Sequence, residues 1–576
     1  MQPAVWAPRA ERVDLVVEGG ARLLMAPGAD GWHRAAIDLE DGTRYRFALD
    51  GARELLPDPR SAHQPDGIDG PSAVVDHGAF AWTDGGWTGR SLAGAVLYEL
   101  HVGTFSPAGT FDGAIERLDH LVALGVDAVE VMPVAEAMGT RGWGYDGVLL
   151  FAPHHAYGGP DAFKRFVDAS HARGLAVVLD VVYNHLGPKG NHLHRFGPYF
   201  SPHHSTPWGD GLNLDGEGSA EVRRFVLDNA RHWLVDHHVD GLRLDAVHAL
   251  LDDSPQHVLA ELAVAAEGWS AEVGRPLWLS CEREQNELLP IRARDEGGWG
   301  FDARWSDDLH HAIHSAITGE RSGYYAPYGR LAHIAGAIER VHVRAGDEVP
   351  ADLPGDRFVT CGQNHDQIGN RAAGERLSHL AGVDAHLCAA ALVLCTPGTP
   401  LLFQGEEWAA SAPFPYFCDP DGDEELAAAI RAGRRDEFAG FAWGERDVPD
   451  PVAVATYRSA ALDWSELGRW PHNRALDAYR SLLHLRRTRP DLTDPSRATV
   501  EVVADEATRT LVVRRAATTI AVNLGRPAQR LDAAVLGHPT ELLLAPNPDT
   551  VLAGDLLLPG RAVAILARGE EIDSAG

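Results

Sequence analysis

From residue 95 onward the sequence alternates eight times between a short apolar run and a segment of helical spacing, and few architectures accommodate that rhythm. The runs are AVLYELHV, DAVEVMPV, LAVVLDVVYNH, VDGLRLDAV, RPLWLSCE, WGFDARWSD, DRFVTCGQNHD and TPLLFQGEEW. Strands apolar on both faces must be covered on both, which calls for parallel pairing with helices outside. The intervening segments fit that role. FDGAIERLDHLVALG stops at Gly125, PDAFKRFVDASHARG opens on Pro160 and closes at Gly174, and SAEVRRFVLDNARHWLVDH continues the pattern. Eight such units predict an α/β chain whose parallel sheet closes into a (β/α)8 TIM barrel. An open doubly wound sheet is the alternative. The absence of a glycine-rich phosphate loop after the first strand weighs against it.

At 576 residues the chain exceeds what one hydrophobic core supports, so flanking domains are expected. Residues 1–90 read as an antiparallel β-sandwich, from VDLVVEG, RLLMAPG, HRAAIDL and TRYRFAL with turn signals between them. A Gly/Trp-rich stretch over residues 82–94 reads as a linker. The barrel is assigned to 91–490, with a loop insertion near 184–218. Its length and its aromatics Tyr199, Phe200 and Trp208 favour function over disorder. Residues 491–576 return to strands (ATVEVV, TLVVRRA, TIAVNL, ELLLA, AVAILA) and predict a second antiparallel β-sandwich.

Charge narrows the partners. Lys and Arg total 51 against 82 Asp and Glu, a net charge of −31, which disfavours nucleic acid and anionic lipid as ligands. No apolar run approaches the roughly 20 residues of a membrane span, and the start lacks a signal-peptide pattern. A cytoplasmic monomer is the expectation. Five cysteines without a C-x-x-C pair support neither a disulfide framework nor a zinc-finger site. No cofactor and no required metal are expected.

The polar residues gather at the strand ends, where a barrel of this kind carries its chemistry. The third strand ends in Asp180, Asn184 and His185. The fourth carries Arg243, Asp245 and His248, the fifth ends on Glu282, and the seventh on His365 and Asp366. Arg243 and Asp245 stand two apart and so face one cavity, where the guanidinium would keep the aspartate ionised. Glu282 follows the apolar WLSC, and crowding by other carboxylates would raise its pKa toward acid duty. One ionised and one protonated carboxyl suit the cleavage of a glycosidic bond.

DVVYNH (180–185), GLRLDAVH (241–248), Glu282 in LSCERE and QNHD (363–366) resemble the four signature segments of the α-amylase family of glycoside hydrolases. The resemblance spans about residues 95–410. It implies that Asp245 is the nucleophile, Glu282 the general acid/base and Asp366 the transition-state stabiliser. It further implies that Arg243, His185 and His365 contact substrate or the carboxylates, with Leu244 and His248 of the same segment counted beside them. Tyr145, in GWGYDG, would stack on a sugar ring, and the N-terminal domain would be carbohydrate-binding-like.

HSTPWGDGLNLDG (204–216), WSDDLHHAIHSAITGE (305–320), QNHDQIGNRAAGERL (363–377) and the tail 413–438 resemble the trehalose-releasing branch of that family. The implied substrate is maltooligosyl trehalose or a related α-glucan, cut at the α-1,4 bond next to the terminal trehalose. Asp307, Asp308, His310 and His311 after the sixth strand, with Gln367 and Asn370 after the seventh, are the expected trehalose contacts. A glycogen branching enzyme is the alternative, disfavoured by QNHDQIGN, and a non-catalytic glucan-binding protein is a further one, disfavoured by retention of all three acids.

Overall fold

A computed structural model describes residues 1–438 and 448–569. The eight apolar runs form β1 (Leu97–Leu100), β2 (Ala128–Val131), β3 (Ala176–Val181), β4 (Gly241–Leu244), β5 (Trp278–Cys281), β6 (Ala303–Trp305), β7 (Phe358–Cys361) and β8 (Thr399–Phe403). All pair in parallel and in sequence order, and β8 closes on β1 with Leu401 opposite Leu97 and Phe403 opposite Glu99. Helices such as Gly159–His171 and Val383–Leu394 pack outside, so each strand is buried on both faces. Gly159–His171 has its proline in the first turn, and the chain leaves it through Gly174 at φ +76°. The alternation therefore means what it predicted, a closed barrel and not an open sheet.

The register brings the charged strand residues to one level. Asp180 lies opposite Arg243, Arg243 opposite Ser280, and Glu99 opposite Glu130. No helix among the described residues is long and apolar enough to cross a membrane.

Before the barrel lie two small antiparallel sheets. One joins Ala4–Trp6, Trp32–Arg34 and Ala26–Pro27, the other Arg22–Leu24, Val13–Val17, Arg44–Leu49 and Ser72–Ala73. The linker that follows is pinned by its tryptophans. Trp82 stacks on His238 at 3.7 Å, and Trp87 stacks on His171 while its indole N–H donates to Asp240 Oδ1 at 2.8 Å. After the helix His472–Thr488, a five-stranded sheet from Glu501–Asp505 to Ala562–Arg568 faces a three-stranded one. Val512, Ala521, Leu556, Leu558 and Leu566 form the apolar layer between them. Residues 570–576 of the expected C-terminal domain lie outside the described residues.

The long connection after β3 is ordered. It holds a short helix, Leu193–Phe196, and a hairpin of Phe200–Thr206 and Gly209–Leu212. Two of its aromatics part ways. Trp208, at the hairpin turn, is 49% exposed and stacks on His185 at 5.3 Å. Tyr199 is buried edge-on against Trp6 of the N-terminal sheets at 5.2 Å, so its role is packing and not ligand contact. Trp6 also sits over Gly197, where an added Cβ would come within 2.9 Å of its ring, and donates to Asp30 O at 2.9 Å. Arg60 extends the same seam, pairing with Asp228 at 2.7 Å and lying over the rings of Trp32, Phe151 and Phe225.

Trp6→Ala is expected to destabilise the chain by about 3–5 kcal/mol, the usual cost of truncating a buried tryptophan. It should also raise KM, because the hairpin that carries Trp208 rests on it. Thermal unfolding and steady-state kinetics on one preparation check both. A loss of stability with unchanged KM would separate the seam from the cavity.

Candidate active site

At the C-terminal end of the barrel a cavity of about 720 Å³ is lined by Tyr145, His185, Trp208, Asp245, His248, Glu282, His365, Asp366, Asn370, Tyr416 and Arg434, among others. A larger cleft of about 880 Å³ opens at the opposite end, beside Leu92, Trp278, Asp302 and Arg357, and contains none of the strand-end acids. Chemistry, not volume, marks the first as the active site.

Arg243 is its centre. The guanidinium is fully buried, donates to Asp180 Oδ2 at 2.5 Å and Asp245 Oδ1 at 3.1 Å, and pairs with Glu282 Oε2. Its flat face lies 4.3 Å from the ring centre of Trp305 at the end of β6. Asp245 follows β4, and Ala246 beside it adopts a left-handed backbone at φ +39°, which turns the chain sharply out of the strand. Asn184 donates from its amide to Asp245 Oδ2 and to Asp245 O, both at 2.8 Å. The Asn184 amide is thus turned onto the aspartate.

A second chain of contacts crosses the barrel. His365 donates its ring Nδ1–H to Glu99 Oε1 and its backbone N–H to Oε2 of the same carboxylate at 2.9 Å. On its other side, Nε2 lies 2.8 Å from the Tyr145 hydroxyl, which donates to Asp180 Oδ2 at 2.6 Å. Burial alone would favour neutral His365, but the Glu99 carboxylate overrides it and holds the ring up to about 9. Burial raises Glu282 well above the ordinary carboxyl value. Arg243 opposes that rise, and crowding by Asp245 and Asp366 adds to it. Desolvation, more than the expected crowding, is therefore what suits Glu282 to hold a proton. Asp366, in the first turn of the helix His365–Gly369, is raised by burial as well, and Asp180 is pushed up to about 6.

A profile of the α-amylase catalytic domain matches residues 73–197, and one for a domain of unknown function, DUF3459, matches residues 495–565. Malto-oligosyltrehalose trehalohydrolases from Mycobacterium tuberculosis and Arthrobacter ramosus are 48% and 49% identical over 538 and 522 residues. These matches cover 90% and 87% of this chain and 92% and 89% of theirs. The chain belongs to the malto-oligosyltrehalose trehalohydrolases. A 1.4 Å crystal structure from Salmonella typhimurium, provisionally described as an α-amylase, is 37% identical with a TM-score of 0.88, covering 98% of this chain and 97% of that one.

In this member of the trehalohydrolases the residues read from sequence fall into two groups. The barrel brings Tyr145, His185, Asp245, His248, Glu282, His365, Asp366 and Asn370 to one cavity, with Arg243 beneath them. His185 bonds Asn184 through Nδ1 and lies 3.0 Å from Tyr145 O through Nε2, which orients its ring against Trp208. Gln367 is half-buried, its backbone N–H taken by Asn364 at 2.8 Å and its amide 3.4 Å from Asp307.

The second group lies elsewhere. Leu244 points into the core between barrel and helices. Asp308 is fully buried, accepting from Tyr328, Asn286 (3.0 Å) and Arg344 (3.2 Å). His310 spans Gly362 O at 2.7 Å and Tyr325 Oη at 3.2 Å, and His311 is buried among Tyr324, Tyr325 and Tyr328. Leu244, Asp308, His310 and His311 are thus buried in packing, and none of them lines the cavity. The helix Asp308–Thr318 is covered by Leu331–Arg340 and the tyrosine-rich turn before it, so its polar residues face protein, not the opening. Asp307 precedes that helix without capping it.

Sequence reasoning passed over Glu99 and Glu130, hidden within apolar strands, and Trp143 and Tyr416, which reach the cavity from loops, with Arg434 and Glu437, which reach it from the last turn of the helix Glu424–Glu437. An isolated acid in an otherwise apolar strand was the available signal for the first pair.

His365 allows a test of this network. Its folded value lies above the ordinary 6.5, so the pairing stabilises fully below about pH 6.5 and is lost as pH climbs through about 9. In Glu99→Gln the stability deficit relative to wild type should therefore be largest in acid and shrink toward pH 9. A pH series of thermal unfolding measures it, and a deficit independent of pH would show that the histidine is not charged.

Proposed function

We propose that the chain hydrolyses the α-1,4-glucosidic bond next to the terminal trehalose of maltooligosyl trehalose, releasing trehalose with retention of configuration. The observation that carries this reading is the gathering of Asp245 and Glu282 on one buried arginine, with Asp366 across the same cavity, in a chain of the trehalohydrolase family.

The roles follow from the contacts. Asp245, held through one oxygen by Arg243 and through the other by Asn184, attacks the anomeric carbon as the glycosidic bond breaks. Glu282, raised by desolvation, begins protonated and gives its proton to the departing oxygen of the trehalose unit. As a carboxylate it then takes a proton from water, which displaces Asp245 and regenerates the acid. Asp366 faces the oxocarbenium-like centre and is held by the Asn370 amide at 3.0 Å. Tyr145 and Trp208 offer apolar ring faces to sugar, and His248 offers a ring nitrogen to a hydroxyl, whereas the ring nitrogens of His185 and His365 are held by protein partners and serve to position the wall.

Trehalose is neutral, non-reducing and bent, so its recognition rests on hydrogen bonds and shape. Of the contacts expected after the seventh strand, Asn370 stands in the cavity, with Arg434 donating to its Oδ1 at 3.2 Å. Arg434 in turn lies over the Tyr416 ring at 5.2 Å. This wall supplies fixed donors and an aromatic face, and we assign it to the trehalose unit.

Asp245→Asn should lower turnover on the order of 10⁴-fold or more with the fold intact. Glu282→Gln should slow maltooligosaccharides far more than an activated aryl glycoside, whose departure needs no proton. Early NMR of the wild-type product should show the α anomer, and β product would remove the covalent step. Product analysis on maltooligosyl trehalose separates the alternatives: free trehalose marks hydrolysis, a new branch point marks transfer, and unchanged substrate marks binding alone.

Asn370→Ala should narrow the ratio of kcat/KM for maltooligosyl trehalose over plain maltooligosaccharide, since distal binding energy is realised in the transition state. Equal losses on both substrates would place the trehalose wall elsewhere.

A further inference from the structure

At the far end of the helix Ser219–Arg231 three histidines meet away from the active site. His232 and His237 flank a single wide π-helical turn, His232–Asp236, and His77 comes from the segment that joins the N-terminal sheets to the barrel. Their ring centres stand 5.0, 5.2 and 4.7 Å apart, at mutual angles of 75–85°. One ring nitrogen from each lies within 4.8 Å of the others. His237 is fully buried, yet neither of its nitrogens is hydrogen-bonded, and His77 Nδ1 is likewise buried and unmet. Buried ring nitrogens without a partner leave lone pairs that an ion at this point would meet.

The spacing is that of a metal shell. Zinc–imidazole bonds of about 2.0–2.1 Å at a tetrahedral centre put ring centres about 5.2 Å apart. The nitrogens are also oriented for it. His232 Nε2 is taken by Phe151 O at 2.9 Å, which leaves Nδ1 for an ion and supplies the outer partner that ligating histidines usually have. Asp236 Oδ2 lies 3.4 Å from that Nδ1, the separation of two ligands on one tetrahedral ion, so the fourth position falls to Asp236 or water. We propose that His77, His232 and His237 bind one divalent transition ion of the zinc class, which ties the N-terminal segment to the barrel.

The surroundings bear on the charge. Lys164, the cation nearby, is itself lowered by burial, and Asp236 and Asp41 face the group. Three nitrogen donors suit zinc, cobalt or nickel and not calcium or magnesium. Because His77 and the helical pair belong to different structural units, the ion would act as a clamp and take no part in catalysis.

The test uses the full chain without a polyhistidine tag, stripped with chelator and titrated with Zn²⁺ and with Co²⁺. Wild type should take up about one ion, give the visible absorption of tetrahedral cobalt, and unfold at higher temperature with zinc than without. His77→Ala and His237→Ala should each weaken binding at least about a hundredfold, the scale on which lost supporting groups already act. Hydrolysis of maltooligosaccharide at ambient temperature should persist and reports folding. If His237→Ala fails to fold, His77→Ala decides alone, since that residue lies on a linker. The proposal falls if wild type takes up no zinc. It also falls if uptake survives His77→Ala, or if it is lost instead in His155→Ala or His204→Ala, which disrupt the other two His/carboxylate groups.

Discussion

The active site depends on one buried cation. Arg243 is held among Asp180, Asp245, Glu282 and the face of Trp305, so a single guanidinium fixes side chains from four successive strands. Its geometry explains why arginine stands there. A planar fork can serve several carboxylates at set angles while its face stacks on an indole, and a lysine could do neither. Burying such a charge is costly unless it is paired and hydrogen-bonded, and the barrel meets that condition at the level where it needs its acids.

Around this cation the barrel carries more carboxyl groups than it can leave charged. Glu99, Glu130, Asp180, Asp245, Glu282 and Asp366 share the space with Arg243 and His365. Desolvation lifts Glu130, Asp180, Glu282 and Asp366 above their ordinary values. Glu130 is the extreme case, buried with neither oxygen hydrogen-bonded. Desolvation thus favours the protonated form of these groups, and Glu282, which we propose as the proton donor, is among them. Acid and nucleophile are told apart by their surroundings, since both are ordinary carboxyls.

The barrel was legible because eight strands apolar on both faces admit few arrangements, and the three acids because a charge at the end of such a strand has no packing reason to be there. The failures share a cause. Asp308, His310 and His311 look like surface or ligand residues in a linear reading, but their helix is enclosed by a second helix and a run of tyrosines more than ten residues away. Tyr416 enters the cavity from a loop and Arg434 from the end of the helix Glu424–Glu437, and since the placement of both depends on tertiary packing, no local pattern marks them. Trp208 and Tyr199 are neighbours in sequence and differ in fate because only one lies beyond the reach of Trp6.

That last contact bears on how this architecture can be inherited. A domain fused before a barrel is usually exchangeable, since little of it reaches the catalytic end. Here the segment that leads into the hairpin on the cavity wall packs, through Gly197 and Tyr199, against Trp6 of the N-terminal sheets. The N-terminal sheets and the loop after β3 must therefore change together, and a recombination between them would separate two halves of one binding surface. What looks modular in the linear order of domains behaves, at this seam, as a single heritable unit.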